Sequence, residues 1–269
     1  MNLAVLMTCH NRVETTLSCL SRLMPQLKDG DKVFLVDDGS TDGTGARVRS
    51  AFPSVSVIDA DGSLYWAKGM NLAWSTAINS GRGFDFFLWL NDDVALKPDA
   101  ISRLVSDWTS CGNQKAVLVG ACAVNEQESA CSYGVSDLSG NKIRPNGQSV
   151  QCADGWFNGN AVLVPFETYE SVGMISDDYT HARADYDYAE RLKRARVPFF
   201  CSSQYVGVCR NDFFRKMHGV GLWQRVRMLW NPGSLNMSDL WKFRARYYGY
   251  GRAIISCLHL AVLVIKGVE

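Results

Sequence analysis

Apolar runs that end in polar turns recur along the first part of the chain. Residues 3–8, 32–36, 55–58 and 85–90 are short and nearly unbroken in their apolar character. A run of about four to eight apolar residues without alternation predicts a strand covered on both faces. Segments between them, over 13–24, up to about 51, and over 67–79, carry apolar residues at helical spacing. Strand and helix alternate four times. That order predicts an α/β fold of parallel βαβ units, a doubly wound and mainly parallel twisted sheet flanked by helices.

The pattern continues less regularly. Pro98 fits the first turn of a helix reaching about 108, and 115–124 is an apolar strand. Residues 125–152 are polar, with hairpin or loop character. A strand over 161–164, a helix near 166–172, a helix over 185–196 closed by Pro198 and a strand over 199–206 follow. The expected organisation is an α/β domain over 1–208, with halves 1–95 and 96–208, and a helical extension over 209–269.

Composition narrows the function classes. A formal net charge of +1 over 269 residues gives no global attraction to nucleic acid. The nine cysteines form no C-x-x-C pair, which reads as reduced thiols of a cytoplasmic protein rather than a disulfide framework. The N-terminus lacks a basic segment and reads as the first strand, not a signal peptide. No G-x-G-x-x-G follows a strand, and no G-x-x-x-x-G-K-[ST], H-E-x-x-H or G-x-S-x-G occurs. Four histidines exclude a histidine-rich metal site.

Candidate chemistry sits where strands end. The run Phe86-Phe87-Leu88-Trp89-Leu90 enters Asn91-Asp92-Asp93. The carboxyl end of a strand is where open α/β sheets bind ligands. Two adjacent carboxylates there repel each other unless a cation, donors or a proton relieve them. Either a metal site or a strand-end turn satisfies the pattern. Asp37-Asp38-Gly39-Ser40 follows the second strand. Its carboxylates can accept from a base N–H or ribose hydroxyls, or belong to a capped helix start.

Four motifs then occur in order: Thr8-Cys9-His10-Asn11-Arg12, Asp37-Asp38-Gly39-Ser40-Thr41-Asp42, Gly69-Met70-Asn71 and Leu88-Trp89-Leu90-Asn91-Asp92-Asp93. Over roughly 3–200 the chain resembles the family 2 glycosyltransferases, which have the GT-A nucleotide-sugar-binding fold. It resembles in particular the bacterial, rhamnosyltransferase-like branch that builds surface polysaccharides such as lipopolysaccharide. The resemblance implies an inverting transferase that moves a sugar from a nucleotide diphosphate to a hydroxyl of a cell-surface glycan or lipid-linked acceptor. It implies that Thr8, His10 and Arg12 line the nucleotide pocket, that Asp37 and Asp38 hold base and ribose, and that Lys68, Gly69 and Asn71 close it. Asn91-Asp92-Asp93 takes the place of the family's Asp-x-Asp, with Asp92 beside the donor and Asp93 on Mg²⁺ or Mn²⁺. The first position is Asn, a departure that removes one coordination point. Asp185 takes the catalytic-base role, with Asp187 as fallback and helix capping as the rival reading of both. The resemblance also implies that Trp156 and Asn158 lie beneath the donor sugar or the acceptor, with a buried aromatic as the rival reading of Trp156, and that His218 reaches the metal or diphosphate, with a structural role as its rival. A sugar-phosphate nucleotidyltransferase and a non-catalytic glycan-assembly protein remain alternatives.

The last stretch differs in charge. Residues 210–252 hold nine Lys or Arg against two Asp, and the apolar run 253–265 is too short to span a bilayer. It reads either as peripheral membrane contact through 240–265 on the inner face of the cytoplasmic membrane, or as helices packed on the domain or a second subunit.

Overall fold

The computed structural model describes residues 1–148, 150–152, 154–210 and 220–266. Four strands, β1 (Leu3–Cys9), β2 (Lys32–Asp38), β3 (Ser56–Ala60) and β4 (Phe86–Leu90), pair in parallel in the order β3-β2-β1-β4. Their crossovers are α1 (Val13–Leu23), α2 (Thr44–Ala51) and α3 (Tyr65–Asn79). This is the predicted βαβ half.

Beyond β4 the sheet is mixed. Next in the chain come β5 (Ala95–Leu96), α4 (Ala100–Ser110), β6 (Val117–Ala123), the short β7 (Cys131–Tyr133), β8 (Val135–Ser136), β9 (Val150–Cys152) and β10 (Trp156–Phe157). They lead to β11 (Ala161–Pro165), α5 (Phe166–Val172), α6 (Ala184–Arg194) and β12 (Phe199–Val208). The main path runs β3-β2-β1-β4-β11-β6-β12-β5, and β11 is antiparallel to both β4 and β6. The reversal has a geometric consequence. With Ala161 opposite Leu90, the start of β11 reaches the rim where β1, β2 and β4 end. The last residues of β12 arrive there too, opposite Ala95 on β5.

Alternation along the buried strands divides the core into two layers. Leu3, Val5 and Met7 face α1 and α4, whereas Ala4 and Leu6 face α3 and α6. The second layer is aromatic: Trp89 lies 5.8 Å from Trp74 and 4.9 Å from Tyr188, both edge-on. Gly69 lets α3 approach β1. A Cβ there would stand 2.5 Å from Thr8 Oγ1 and 3.0 Å from Thr8 Cβ. Gly69→Ala is therefore expected to cost about 1–3 kcal/mol through forced displacement, despite the better helix propensity of Ala. Urea unfolding measures this, and an unchanged midpoint would remove the close-packing role.

The C-terminal segment folds as α7 (Leu222–Met228), α8 (Met237–Tyr248) and α9 (Tyr250–Lys266). For α8 the packing reading holds. Phe243 is buried in the aromatic layer, and the Asp239 carboxylate accepts backbone N–H groups from Thr180, His181 and Ala182 at 2.9–3.2 Å. The expected boundary at 208 is thus crossed by core contacts. No described helix is long and apolar enough to cross a membrane.

Candidate active site

A cleft of about 880 Å³ opens at the rim defined above. Its wall holds Thr8, His10, Arg12, Asp38, Asp92, Asp93, Asn158 and Asp185 of the expected residues.

The acidic pair Asp92-Asp93 is relieved by a cation from the protein itself. Arg12 Nη1 donates to Asp92 Oδ1 at 2.7 Å and to Asp93 Oδ2 at 3.2 Å. The two carboxylates differ in setting. Asp92 is buried and also accepts from Thr16 Oγ1 at 3.1 Å. Burial pushes its carboxyl up to about 6, against the pull of Arg12, with the Asp93 charge adding to the rise. Asp93 faces the cleft, where its other oxygen meets the Cys209 thiol at 3.4 Å. Asn91 also lines the cleft, with its Oδ1 taken up by Trp66 Nε1 at 2.7 Å.

Asp38 holds the loop before α3. Its carboxylate accepts from the N–H groups of Gly62, Leu64 and Tyr65 at 2.7–3.2 Å. An acidic group there also complements the positive end of the helix. Gly39, at φ +68°, lies against Gly62, so a side chain could not enter this turn. Tyr65 takes φ +55°, a costly conformation for an aromatic residue, and lines the cleft. His10 Nδ1 lies 2.6 Å from the Asp38 carbonyl oxygen. That nitrogen therefore carries the proton, and Nε2 accepts from Asn11.

Asp185 stands at the first turn of α6, after Arg183 in a left-handed conformation. Its Oδ2 accepts from Gly159 N–H at 3.2 Å and its Oδ1 from Tyr186 N–H at 2.9 Å. Burial raises its pKa above the ordinary aspartate value, with the two N–H groups and the Arg183 and Lys142 charges opposing. Asp187 is different. It is 0% exposed and accepts from Tyr179, Arg191, Arg246 and Tyr247, which leaves it no access to the cleft.

Several expected residues stand elsewhere. Asp37 is buried behind the rim, accepting from Ser40 N–H. Lys68 is exposed outside the cleft wall, Gly69 packs on Thr8, and Asn71 donates to the Ile175 carbonyl at 2.5 Å. Trp156 is one layer back: it stacks on Tyr186 at 5.8 Å and donates to Glu190, so Tyr186 presents the aromatic face to the cleft. His218 lies outside the described residues. The cleft wall also includes Tyr65, Tyr133, His181, Arg183, Tyr186 and Arg210, none of which the motifs marked as site residues. His181, Arg183 and Tyr186 lie beside Asp185 and Arg210 follows β12, in polar and aromatic stretches; Tyr65 and Tyr133 carried no such signal. Gly233, Ser234 and Leu235, between α7 and α8, complete the wall.

Among the described residues no group of three or more His, Cys, Asp or Glu is arranged to hold a metal. Within Asn91-Asp92-Asp93, Asp93 is the carboxylate open to the cleft, 30% exposed against 4% for Asp92. One carboxylate suits an ion such as Mg²⁺, which takes its other ligands from substrate phosphates and water.

Comparison with known proteins agrees with this architecture. Residues 4–131 match the model for glycosyl transferase family 2. No curated protein sequence matches the chain. Among solved structures, 98% of the chain aligns with 81% of S. aureus TarS 1–349, with TM-score 0.57 and 13% identity. The same protein in complex with UDP-GlcNAc aligns over 98% of this chain and 82% of that one, with TM-score 0.58 and 13% identity. The mannosyltransferase PcManGT from Pyrobaculum calidifontis, in complex with GDP-Man and Mn²⁺, aligns over 98% and 79%, with TM-score 0.52 and 14% identity. At such identity the likeness is one of fold. The first half of the chain, residues 4–131, carries the glycosyl transferase family 2 pattern, within the GT-A fold that the whole chain shares with these glycosyltransferases.

Proposed function

We propose that the chain is an inverting glycosyltransferase that passes a sugar from a nucleotide-diphosphate donor to a hydroxyl of a cell-surface glycan or lipid-linked acceptor. The observation that carries this reading is Asp185. Among the described residues its carboxylate meets backbone N–H groups rather than a side-chain cation, it borders the cleft, and burial raises its basicity. A base of that kind takes the acceptor proton as the new glycosidic bond forms and the nucleoside diphosphate leaves. The other cleft carboxylates are engaged more heavily or by a cation: Asp38 accepts from three backbone N–H groups, and Asp92 and Asp93 both meet Arg12.

Donor binding follows from the same wall. Tyr65 offers a ring beside Asp38 for the nucleoside, and Arg12 and Asp93 mark the diphosphate end. Mg²⁺ or Mn²⁺ held by Asp93 and the donor phosphates would offset charge on the leaving diphosphate. Because Arg12 already places a positive charge there, part of that task falls to the protein.

Thermal shift with UDP-, dTDP- and GDP-sugars, each with and without Mn²⁺, tests donor and metal together. A matching donor at about 100 times its Kd is expected to stabilise the protein by about 2.7 kcal/mol. Asp93→Ala should abolish the Mn²⁺-dependent part and keep the metal-independent part. A panel with no shift for any sugar nucleotide would overturn the donor reading. An Mn²⁺-dependent shift that survives in Asp93→Ala would overturn the Asp93 assignment alone.

A further inference from the structure

One surface has no role in the cleft chemistry. The inner side of α9 packs through Leu260, Ala261 and Val264 against Met228 of α7, Leu229 just after it, and Leu235 and Met237. Its outer side carries Ile254, Ile255, Leu258, Val262 and Ile265, which are 44–67% exposed. Four of these recur at i, i+4, i+8 and i+11, one continuous stripe on a helix. Tyr250, at 72% exposure, opens the helix beside Trp241, with ring centroids 6.1 Å apart. Trp223 and Trp230, at 80% and 68%, flank the end of the module that α9 packs on.

Charge identifies the occupant. Across the described residues 220–266 there are seven basic side chains, at 225, 227, 242, 244, 246, 252 and 266, and a single acid, Asp239. Asp239 is fully buried and its carboxylate is taken up by backbone N–H groups, so this module exposes no carboxylate among the described residues. Arg252 and Lys266 stand exposed at the two ends of α9. A second copy docking through the same stripe would set like charges against each other, because a two-fold interface pairs a patch with itself. An anionic lipid surface instead accepts the apolar stripe into its headgroup boundary and attracts the basic flanks. Exposed Trp and Tyr suit the same boundary, being apolar in body and polar at the edge. The helix is too short to span.

We infer that the outer face of α9, with its basic flanks, docks this protein on an anionic bilayer. The module that carries this face also supplies Gly233, Ser234 and Leu235 to the cleft wall. Docking therefore turns that wall toward the lipid, where a lipid-linked acceptor would enter; this second step rests on the transferase reading, and the docking itself does not.

The test is vesicle flotation of the full chain with phosphatidylcholine vesicles and with vesicles containing one quarter phosphatidylglycerol. Binding to the anionic vesicles is expected, falling with salt and at least about tenfold weaker to the neutral ones. Ile255→Asp with Leu258→Asp should abolish flotation, and Arg252→Glu with Lys266→Glu should weaken it by about tenfold or more. Thermal melts of both variants, expected unchanged because the positions are exposed, separate loss of docking from loss of fold. Failure of the wild-type chain to float, equal binding to neutral vesicles, or flotation unaffected by these substitutions would overturn the inference. So would a dimer in light scattering that Leu258→Asp dissociates. The sugar-nucleotide thermal shift on the same proteins reports on the cleft separately, so failure of docking and failure of the transferase reading give different results.

Discussion

Asp185→Asn is expected to lower transfer by about 10²–10⁴-fold while leaving sugar-nucleotide binding intact. The size follows from the role. Asn retains the shape but has one carbonyl oxygen, so it accepts from Gly159 or from Tyr186 and not from both, and it cannot take a proton. A positioning role would leave much of the rate with Asn in place, so the isosteric variant separates the two. The pH dependence gives a second readout. Because burial raises the Asp185 pKa, the acid limb of kcat/KM should lie above the ordinary aspartate value of 3.8 and vanish in the variant. Stability moves the other way. A native pKa above the unfolded one means the native state holds the proton more tightly. The contribution of Asp185 to stability is then fully present below the unfolded pKa and lost as pH rises through the native one. At neutral pH the charged carboxylate is a cost; Asp185→Asn removes it but sets its NH2 against one of the two N–H groups, so the melting temperature should change little while activity is lost. Retained transfer, or an unchanged acid limb, would defeat the assignment.

How far the site was legible in the sequence depends on which bond is asked about. Apolar runs ending in polar turns marked β1, β2 and β4 and put Thr8, Asp38 and Asp93 on one rim, because parallel strands linked by helices share a carboxyl end. The direction of β11 was not legible. Ala161-Val162-Leu163-Val164 is buried on both faces whichever way it runs, and only pairing with β4 sets its sense. That pairing brings Gly159 N–H to Asp185, a contact from 26 residues away that periodicity cannot signal. Partners of carboxylates were likewise hidden. The repulsion within Asp92-Asp93 could be foreseen, but not that Arg12, 80 positions earlier, supplies the relief. Asp38 shows the same limit: its place at a strand end could be read, whereas its commitment to the N–H groups of residues 62–65 depends on how α3 begins. In the extension, the spacing of apolar residues revealed helices. Which face meets protein was decided by Phe243 and Asp239 finding partners in the catalytic core.

Asp187→Ala is expected to be the most damaging single change to the fold. The carboxylate is fully buried between four donors: Tyr179 Oη at 3.1 Å, Arg191 Nε at 3.0 Å, Arg246 Nη1 at 3.0 Å and Tyr247 Oη at 2.8 Å. Arg191 and Tyr179 belong to the α/β core, whereas Arg246 and Tyr247 come from α8. One carboxylate thus fastens the extension to the helix that carries Asp185. Breaking a buried pair from one side costs about 3–5 kcal/mol, here because Arg191, Tyr179 and Tyr247 stay in the packed structure and lose their shared acceptor. For a chain of this size that corresponds to a fall of about 6–20 °C in melting temperature. Arg246→Met should cost less, since Asp187 keeps Arg191, Tyr179 and Tyr247 as donors when Arg246 is removed. Combining the two should fall short of the sum of the single effects, because the residues share one network. Activity of Asp187→Ala should drop further than the folded fraction alone requires, as α6 loses the clamp that sets the angle of Asp185 into the cleft. Calorimetry on the two single variants and the double variant, with transfer rates taken well below each melting point, gives every quantity needed. Additive losses, or full activity in folded Asp187→Ala, would show that the extension is joined to α6 without positioning it.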